Sequence, residues 1–225
     1  MDKVAKPEAS IVHLLSVGPF GEAVGSYLKT IRDDIAQTSV IDNTVPLPAT
    51  WPDARLYVLV AWRPVPDLCE LLNQLSHEWQ RPFFPVIQDL TAIRFGPIVV
   101  PGRGACWKCW VTRWHQHSGW TKERASLLSY YASHSSVGPA GYLEPFALMT
   151  AVRIAQTVTA VDSATATPGS LWQIDMLTRQ VTGSIVVGVH DCRWCGLGRP
   201  KATRSFAEMQ KELKYLRSAE SGKLT

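Results

Sequence analysis

Ile11-Val12-His13-Leu14-Leu15-Ser16-Val17-Gly18-Pro19-Phe20-Gly21 is the stretch that decides the fold. Seven mostly apolar residues without helical periodicity make a buried strand, and a glycine turn then leads into a helix expected from about Glu22 to Ile35. Strand, glycine turn and helix in that order open an α/β unit of the dinucleotide-binding type. Val40-Ile41-Asp42 is the end expected for a second strand, with Asp42 where a ribose-binding acid would fall. The fingerprint is incomplete, however. Only Gly18 and Gly21 remain, and Pro19 removes a backbone donor that a phosphate cradle would use. A structural use of the two glycines is the reading adopted.

Further along, the pattern repeats. Pro46, Pro48 and Pro52 make residues 44–52 a loop, and Arg55-Leu56-Tyr57-Val58-Leu59-Val60-Ala61-Trp62 is too apolar to alternate. Such runs are core strands of a parallel sheet covered on both faces. Asp67 and Glu70 have the spacing of a helix cap, and Leu68, Leu71, Leu72, Leu75 and Trp79 share one helical face. Cys69 reads as a small buried hydrophobe, and His77 falls off the stripe towards solvent. Phe83-Phe84-Pro85-Val86-Ile87 completes a strand–helix–strand crossover, which implies parallel strands. Residues 92–101 then run into a cysteine pair, residues 120–138 are polar with weak helical periodicity, and residues 133–138 form a connection. A helix is expected over 144–160, with Pro145 in its first turn where proline is tolerated. After a loop at 165–169, residues 171–175 and 182–187 form a strand pair. The expected fold class is α/β, a Rossmann-like, mostly parallel sheet with helices on both faces. Ser205 and Glu208 cap an amphipathic C-terminal helix to Arg217, with Phe206, Met209, Leu213 and Leu216 as its stripe. Three segments result: a flexible 1–10, a domain over 11–200 and a helical tail over 201–225.

Cys106-Trp107-Lys108-Cys109 and Cys192-Arg193-Trp194-Cys195 carry the chemistry. Each pair leaves two residues between thiols, so one turn of backbone aims both sulfurs at one ion. Two such turns make the Cys₄ cage that zinc prefers in structural sites. Gly102 and Gly104 before the first pair, and Gly196 and Gly198 after the second, supply backbone freedom for tight turns. Two disulfides would need an oxidising compartment, a redox pair would leave the second pair unexplained, and an iron–sulfur cluster takes the same donors. His115 and His117 follow the first pair, but four thiols already complete a zinc shell. Trp107, Trp110, Trp114 and Trp194 suggest an aromatic shell round the metal.

With 225 residues the chain buries a full core unaided, so the metal serves to staple distant segments. A net charge of +4 is mild and disfavours a dedicated nucleic-acid binder. No run is long and apolar enough for a membrane span, and residues 1–10 lack a secretory pattern; a cytoplasmic location is expected.

Gly96-Pro97-Ile98-Val99-Val100-Pro101-Gly102-Arg103-Gly104-Ala105-Cys106-Trp107-Lys108-Cys109, with Arg113 beyond it, resembles the zinc segment of the ThiF/MoeB-like, ubiquitin-activating-type fold. More narrowly it resembles the branch found in thiazole/oxazole-modified microcin (bacteriocin) biosynthesis, a class of ribosomal-peptide modification. Leu171-Trp172-Gln173-Ile174-Asp175 before the closing cysteine pair fits the same pattern, and the likeness spans residues 11–198. It implies a zinc-binding ThiF-like protein that partners a YcaO-type cyclodehydratase acting on a ribosomal precursor peptide. The adenylating members' glycine-rich turn is degraded here, and an acceptor cysteine for thioester chemistry is missing. The winged-helix domain with which many relatives grip the leader is also expected to be missing, leaving peptide capture to another chain, to a cryptic surface here, or to neither. The expectation is therefore a non-catalytic scaffold subunit with structural zinc on Cys106, Cys109, Cys192 and Cys195; self-association as a homodimer is compatible with it. The alternatives are an active adenylating enzyme for a peptide or sulfur-carrier C-terminus, and a zinc-ribbon nucleic-acid module.

Overall fold

In the computed structural model, residues 11–40, 47–117, 122–139 and 141–196 are described. Asp42, Gly198, the N-terminal segment and the expected tail helix lie outside these residues. A seven-stranded sheet in the order β2-β1-β3-β4-β5-β6-β7 organises the chain. Its strands are β1 (Val12–Val17), β2 (Ile35–Val40), β3 (Leu56–Ala61), β4 (Phe83–Asp89), β5 (Ala92–Phe95), β6 (Ser170–Asp175) and β7 (Val181–Ile185). The helices are α1 (Gly18–Ile31), α2 (Pro66–Trp79), α3 (Trp107–His117), α4 (Lys122–Ser133) and α5 (Glu144–Asp162).

β1, β2, β3 and β4 pair in parallel, with Val17 opposite Val40 and Ala61, as the continuous apolar runs require. The other half differs from the parallel expectation: β5, β6 and β7 join antiparallel. β4 turns straight back into β5 through Leu90, which takes a left-handed φ of 56°, and Asp89 faces Ala92. Five strands still point one way, so the sheet is mostly parallel in direction and evenly mixed in its pairings.

Side chains alternate across the sheet with period two. Leu14, Val58 and Val60 face one way and are covered by Phe20, Val24 and Leu28 of α1 and Ile154 and Val158 of α5. Leu15, Leu59 and Ala61 face the other way, under Leu68, Leu72 and Leu75 of α2 and the four cysteines. Each such leucine contributes roughly 1.5–3 kcal/mol by leaving water. The expected two-faced helical cover is therefore present. At the rim, Asp34 accepts from Arg32 at 2.7 Å and Arg55 at 2.5 Å, and Arg55 reaches Asp162 at 2.8 Å. The Arg32 hydrogen bond first, then that of Arg55, holds the Asp34 carboxyl down at about 2.

Two boundaries differ from expectation. α1 begins at Gly18 and ends at Ile31, because Ile35 is needed as the first residue of β2, opposite Val12. α2 begins at Pro66 without a side-chain cap; Glu70 instead pairs with Lys108 at 3.0 Å, tying α2 to α3.

The glycine turn has a structural use. Gly18 has φ of 71°, and a Cβ there would lie 2.3 Å from the Trp62 indole. At Gly21 a Cβ would sit 2.6 Å from the Val60 carbonyl oxygen, so α1 lies on β3 with no room for a methyl. Gly21→Ala is expected to destabilise the protein by about 2 kcal/mol, since the obstructing atom is backbone and cannot rotate away. Urea unfolding of the two proteins measures it; equal midpoints would mean that α1 lifts off freely.

A candidate metal centre

Cys106 directly precedes α3 and its carbonyl accepts from the Trp110 N–H at 3.2 Å, so Cys106 and Cys109 are three residues apart at a helix start. That spacing puts both sulfurs on one side, 3.9 Å apart. Asn73 of α2 fixes the entry, its Oδ1 accepting the Trp107 N–H at 3.0 Å. Cys192 and Cys195 occupy a tight turn in which the Gly196 N–H reaches the Cys192 carbonyl at 2.7 Å. A Cβ on Gly196 would lie 2.5 Å from that oxygen. Arg113 ties the return segment to α3 by donating to the Val187 and Gly188 carbonyls at 3.4 and 3.5 Å.

The two turns meet although the pairs are 86 positions apart. Cys106 Sγ lies 3.5 Å from Cys192 Sγ, and Cys109 Sγ lies 3.3 Å from Cys195 Sγ. All four sulfurs fall within 4.8 Å of one another, and all four residues are buried. These separations exceed any S–S bond, and none of the four cysteines is in a disulfide. A tetrahedral ion with metal–sulfur bonds of about 2.3 Å needs sulfurs roughly 3.8 Å apart, which this cluster matches.

Electrostatics ask for a cation. Hydrogen bonding to Cys109 and Cys195, together with burial, pushes the Cys106 thiol up. Cys109 is driven the other way because Cys106 and Cys195 direct their S–H groups at it, helped by the Val189 N–H at 3.2 Å. Four thiolates held this close repel one another, and a divalent ion in their midst would offset that repulsion. The donor set fits zinc, and an iron centre uses the same donors.

His115 and His117 are exposed and lie outside this group. Cys69 is buried, its thiol pushed up by burial, in keeping with a packing role. Trp107, Trp110 and Trp194 pack on the core cluster that holds the cysteines, while Trp114 stacks beyond Trp110 at 5.8 Å. His77 departs from its expected solvent-facing position. It stacks on Trp194 at 6.2 Å, its Nε2 is buried, and burial lowers its pKa. The helical stripe missed it because the return turn, distant in sequence, covers that flank of α2.

The crevice beyond the carboxyl ends of the parallel strands, where ligands of open α/β sheets bind, is built differently. Trp62, just after β3, is wedged between Gly18 and Gly138. Arg63 is 1% exposed, stacks on Tyr131 at 4.7 Å and donates to the Ser135 carbonyl at 3.2 Å. Val17, Val40 and Arg63 line the remaining cavity of about 210 Å³. Among the described residues no helix is long and apolar enough to cross a membrane.

No protein-family model matches this sequence, and no curated protein does. Solved structures do share its fold. A heterocyclase in complex with substrate and cofactor is 20% identical, with a TM-score of 0.58 over 84% of this chain and 26% of that one. A chain of the E. coli microcin synthetase McbBCD complex is 14% identical, with a TM-score of 0.57 over 85% of this chain and 71% of that one. E. coli MccB is 14% identical, with a TM-score of 0.58 over 83% and 65%. The chain thus spans about a quarter of the heterocyclase's length, and at these identities the likeness is one of fold.

Proposed function

We propose that this chain is a zinc-stapled, non-catalytic subunit of a heterocyclase complex, partnering a YcaO-type enzyme that closes Cys, Ser or Thr side chains of a ribosomal precursor peptide into azolines. The observation that carries the reading is the crevice. The fold is that of heterocyclase and microcin-synthetase chains, yet Trp62 stands against Gly18 where α1 begins, and the Arg63 side chain is buried beside it. Cys106, Cys109, Cys192 and Cys195 act as the zinc ligands, and the partner brings the ATP chemistry. Residues 11–200 act as one domain with 201–225 as a helical appendage.

A protein-binding role also accounts for an outer surface that folding leaves apolar. Leu148, Met149 and Val152 project from α5, and β7 is exposed along its whole length. Exposed apolar area of this kind is usual at interfaces.

MccB, a neighbour of similar fold, has been solved with the nucleotide analogue AMPCPP and with MccA, which keeps the adenylating alternative in view. The Trp62 wedge speaks against it. The isolated protein is therefore expected to give no ATP–pyrophosphate exchange with any candidate peptide, and to co-purify with a YcaO enzyme when the two are co-expressed. Peptide-stimulated exchange without co-purification would replace the scaffold reading with the adenylating one.

A further inference from the structure

A groove of about 450 Å³ runs between α3 and the β6–β7 hairpin, on the face of the sheet that carries the cysteines. Trp110 and Trp114 line it from α3, and Leu171, Ile185 and Val187 line it from the hairpin and the segment that follows. Ile185 and Val187 are 63% and 69% exposed, so an aliphatic rim here is left facing water. Arg113 and His117 add basic groups to the same groove. Arg113 donates to the Val187 and Gly188 carbonyls and to Gln116, and among the described residues no carboxylate pairs with it.

The chain itself supplies an occupant. Gly196, the last described residue, follows Cys195, whose Sγ lies 3.3 Å from that of Cys109, the residue before Trp110. The linker 197–204 spans up to about 27 Å when extended. From Trp110 to His117 α3 advances only about 11 Å, so residues 205–217 can reach either end of the groove. An amphipathic helix this short is marginal on its own in water, and its stripe of Phe206, Met209, Leu213 and Leu216 needs a surface to cover. The charges fit as well. At helical spacing Glu208 and Glu212 flank the stripe on one side, and Lys214 and Arg217 flank it on the other. With the acidic flank towards α3, the two glutamates come to the side of Arg113 and His117. A tethered segment has an effective concentration in the millimolar range, which favours the chain's own tail over that of a second copy.

We propose that residues 205–217 fold back as a helix into this groove, with the apolar stripe against Trp110, Trp114, Ile185 and Val187. The exposed residues of α5 lie on the opposite face of the sheet and stay available to a partner. The docking concerns the chain by itself and holds whether or not it partners a YcaO enzyme.

Photocross-linking of the full purified chain in dilute solution tests the proposal. Phe206→p-benzoylphenylalanine keeps an aromatic ring at the start of the stripe and inserts into neighbouring C–H bonds on irradiation. Peptide mapping by mass should place the link within one chain, at residues 107–117 or 171–187. Adding Ile185→Asp and Val187→Asp, both at exposed positions, should lower the yield at least about fivefold, because the groove loses its aliphatic rim. A link between two chains would overturn the proposal and assign the groove to a second copy's tail. A link elsewhere on the chain, no link at all, or a yield indifferent to the two aspartates overturns it outright. The position of the link in the chain without the aspartates decides the matter even if the aspartate variant fails to fold.

Discussion

Replacing Cys106 and Cys192 together by serine is expected to abolish the proposed binding of one zinc per chain and the cooperative unfolding of the α3 face. The double variant removes one ligand from each turn, so neither pair can recruit a replacement. Structural zinc bound by four thiolates carries about 10–16 kcal/mol of folding free energy, as much as the whole net stability of an ordinary domain. An ion held by all four sulfurs would also close a loop of 86 positions, whose chain entropy alone is worth about 4–5 kcal/mol in a cross-link model. Metal analysis of purified protein should give one zinc per chain for the natural sequence and none for the variant. The α1–β1–β3–α5 side, whose core does not include the sulfurs, should retain secondary structure by circular dichroism. Full metal retention by the double variant would mean that the four buried thiols are a packing cluster.

Acid is expected to unfold the protein through His13. This residue lies in β1 with no accessible surface, donating or accepting at Thr38 Oγ1 through Nε2 at 2.8 Å. Trp51 and Tyr57 press edge-on against the ring at 5.4 and 5.6 Å, and Nδ1 has no partner. Burial lowers its pKa from 6.5 to about 4. Above pH 6.5 the ring is neutral in both states and costs nothing. As pH falls from 6.5 towards 4 the unfolded chain takes a proton that the folded one refuses, so stability drops with each pH unit. Below about 4 both states are protonated and the loss levels off, at about 3 kcal/mol in total. His13→Gln keeps a hydrogen-bonding group but cannot titrate. Urea unfolding at pH 7.5 and at pH 4.5 should show the natural protein losing more stability than His13→Gln, with acid release of metal common to both. Parallel losses would acquit His13.

Much of this architecture is readable from the chain because its signals are local. β1 and β3 are unbroken apolar runs, and the spacing of the two cysteine turns marks the four sulfurs that the fold brings together. What escaped depends on partners remote in sequence. α3 was legible in principle, since Trp107, Trp110 and Trp114 repeat at helical spacing, but so many aromatic and basic residues disguise the pattern. The end of α1 is set by the pairing of Ile35 with Val12, against a helical periodicity that would run on. The return of β5 is hidden because Leu90 makes the left-handed turn without a glycine to mark it. The crevice is the clearest case. Gly18-Pro19-Phe20-Gly21 hints at a lost nucleotide turn, but only the fold brings Trp62 onto Gly18.

The scaffold account is tested most directly by reconstitution. The YcaO enzyme, its precursor peptide and ATP are mixed with and without this chain, and water losses from the peptide are counted by mass. The account predicts ring formation that rises sharply when the chain is added, in a complex the two proteins form together. Equal conversion in both mixtures, with the proteins eluting apart, would contradict it.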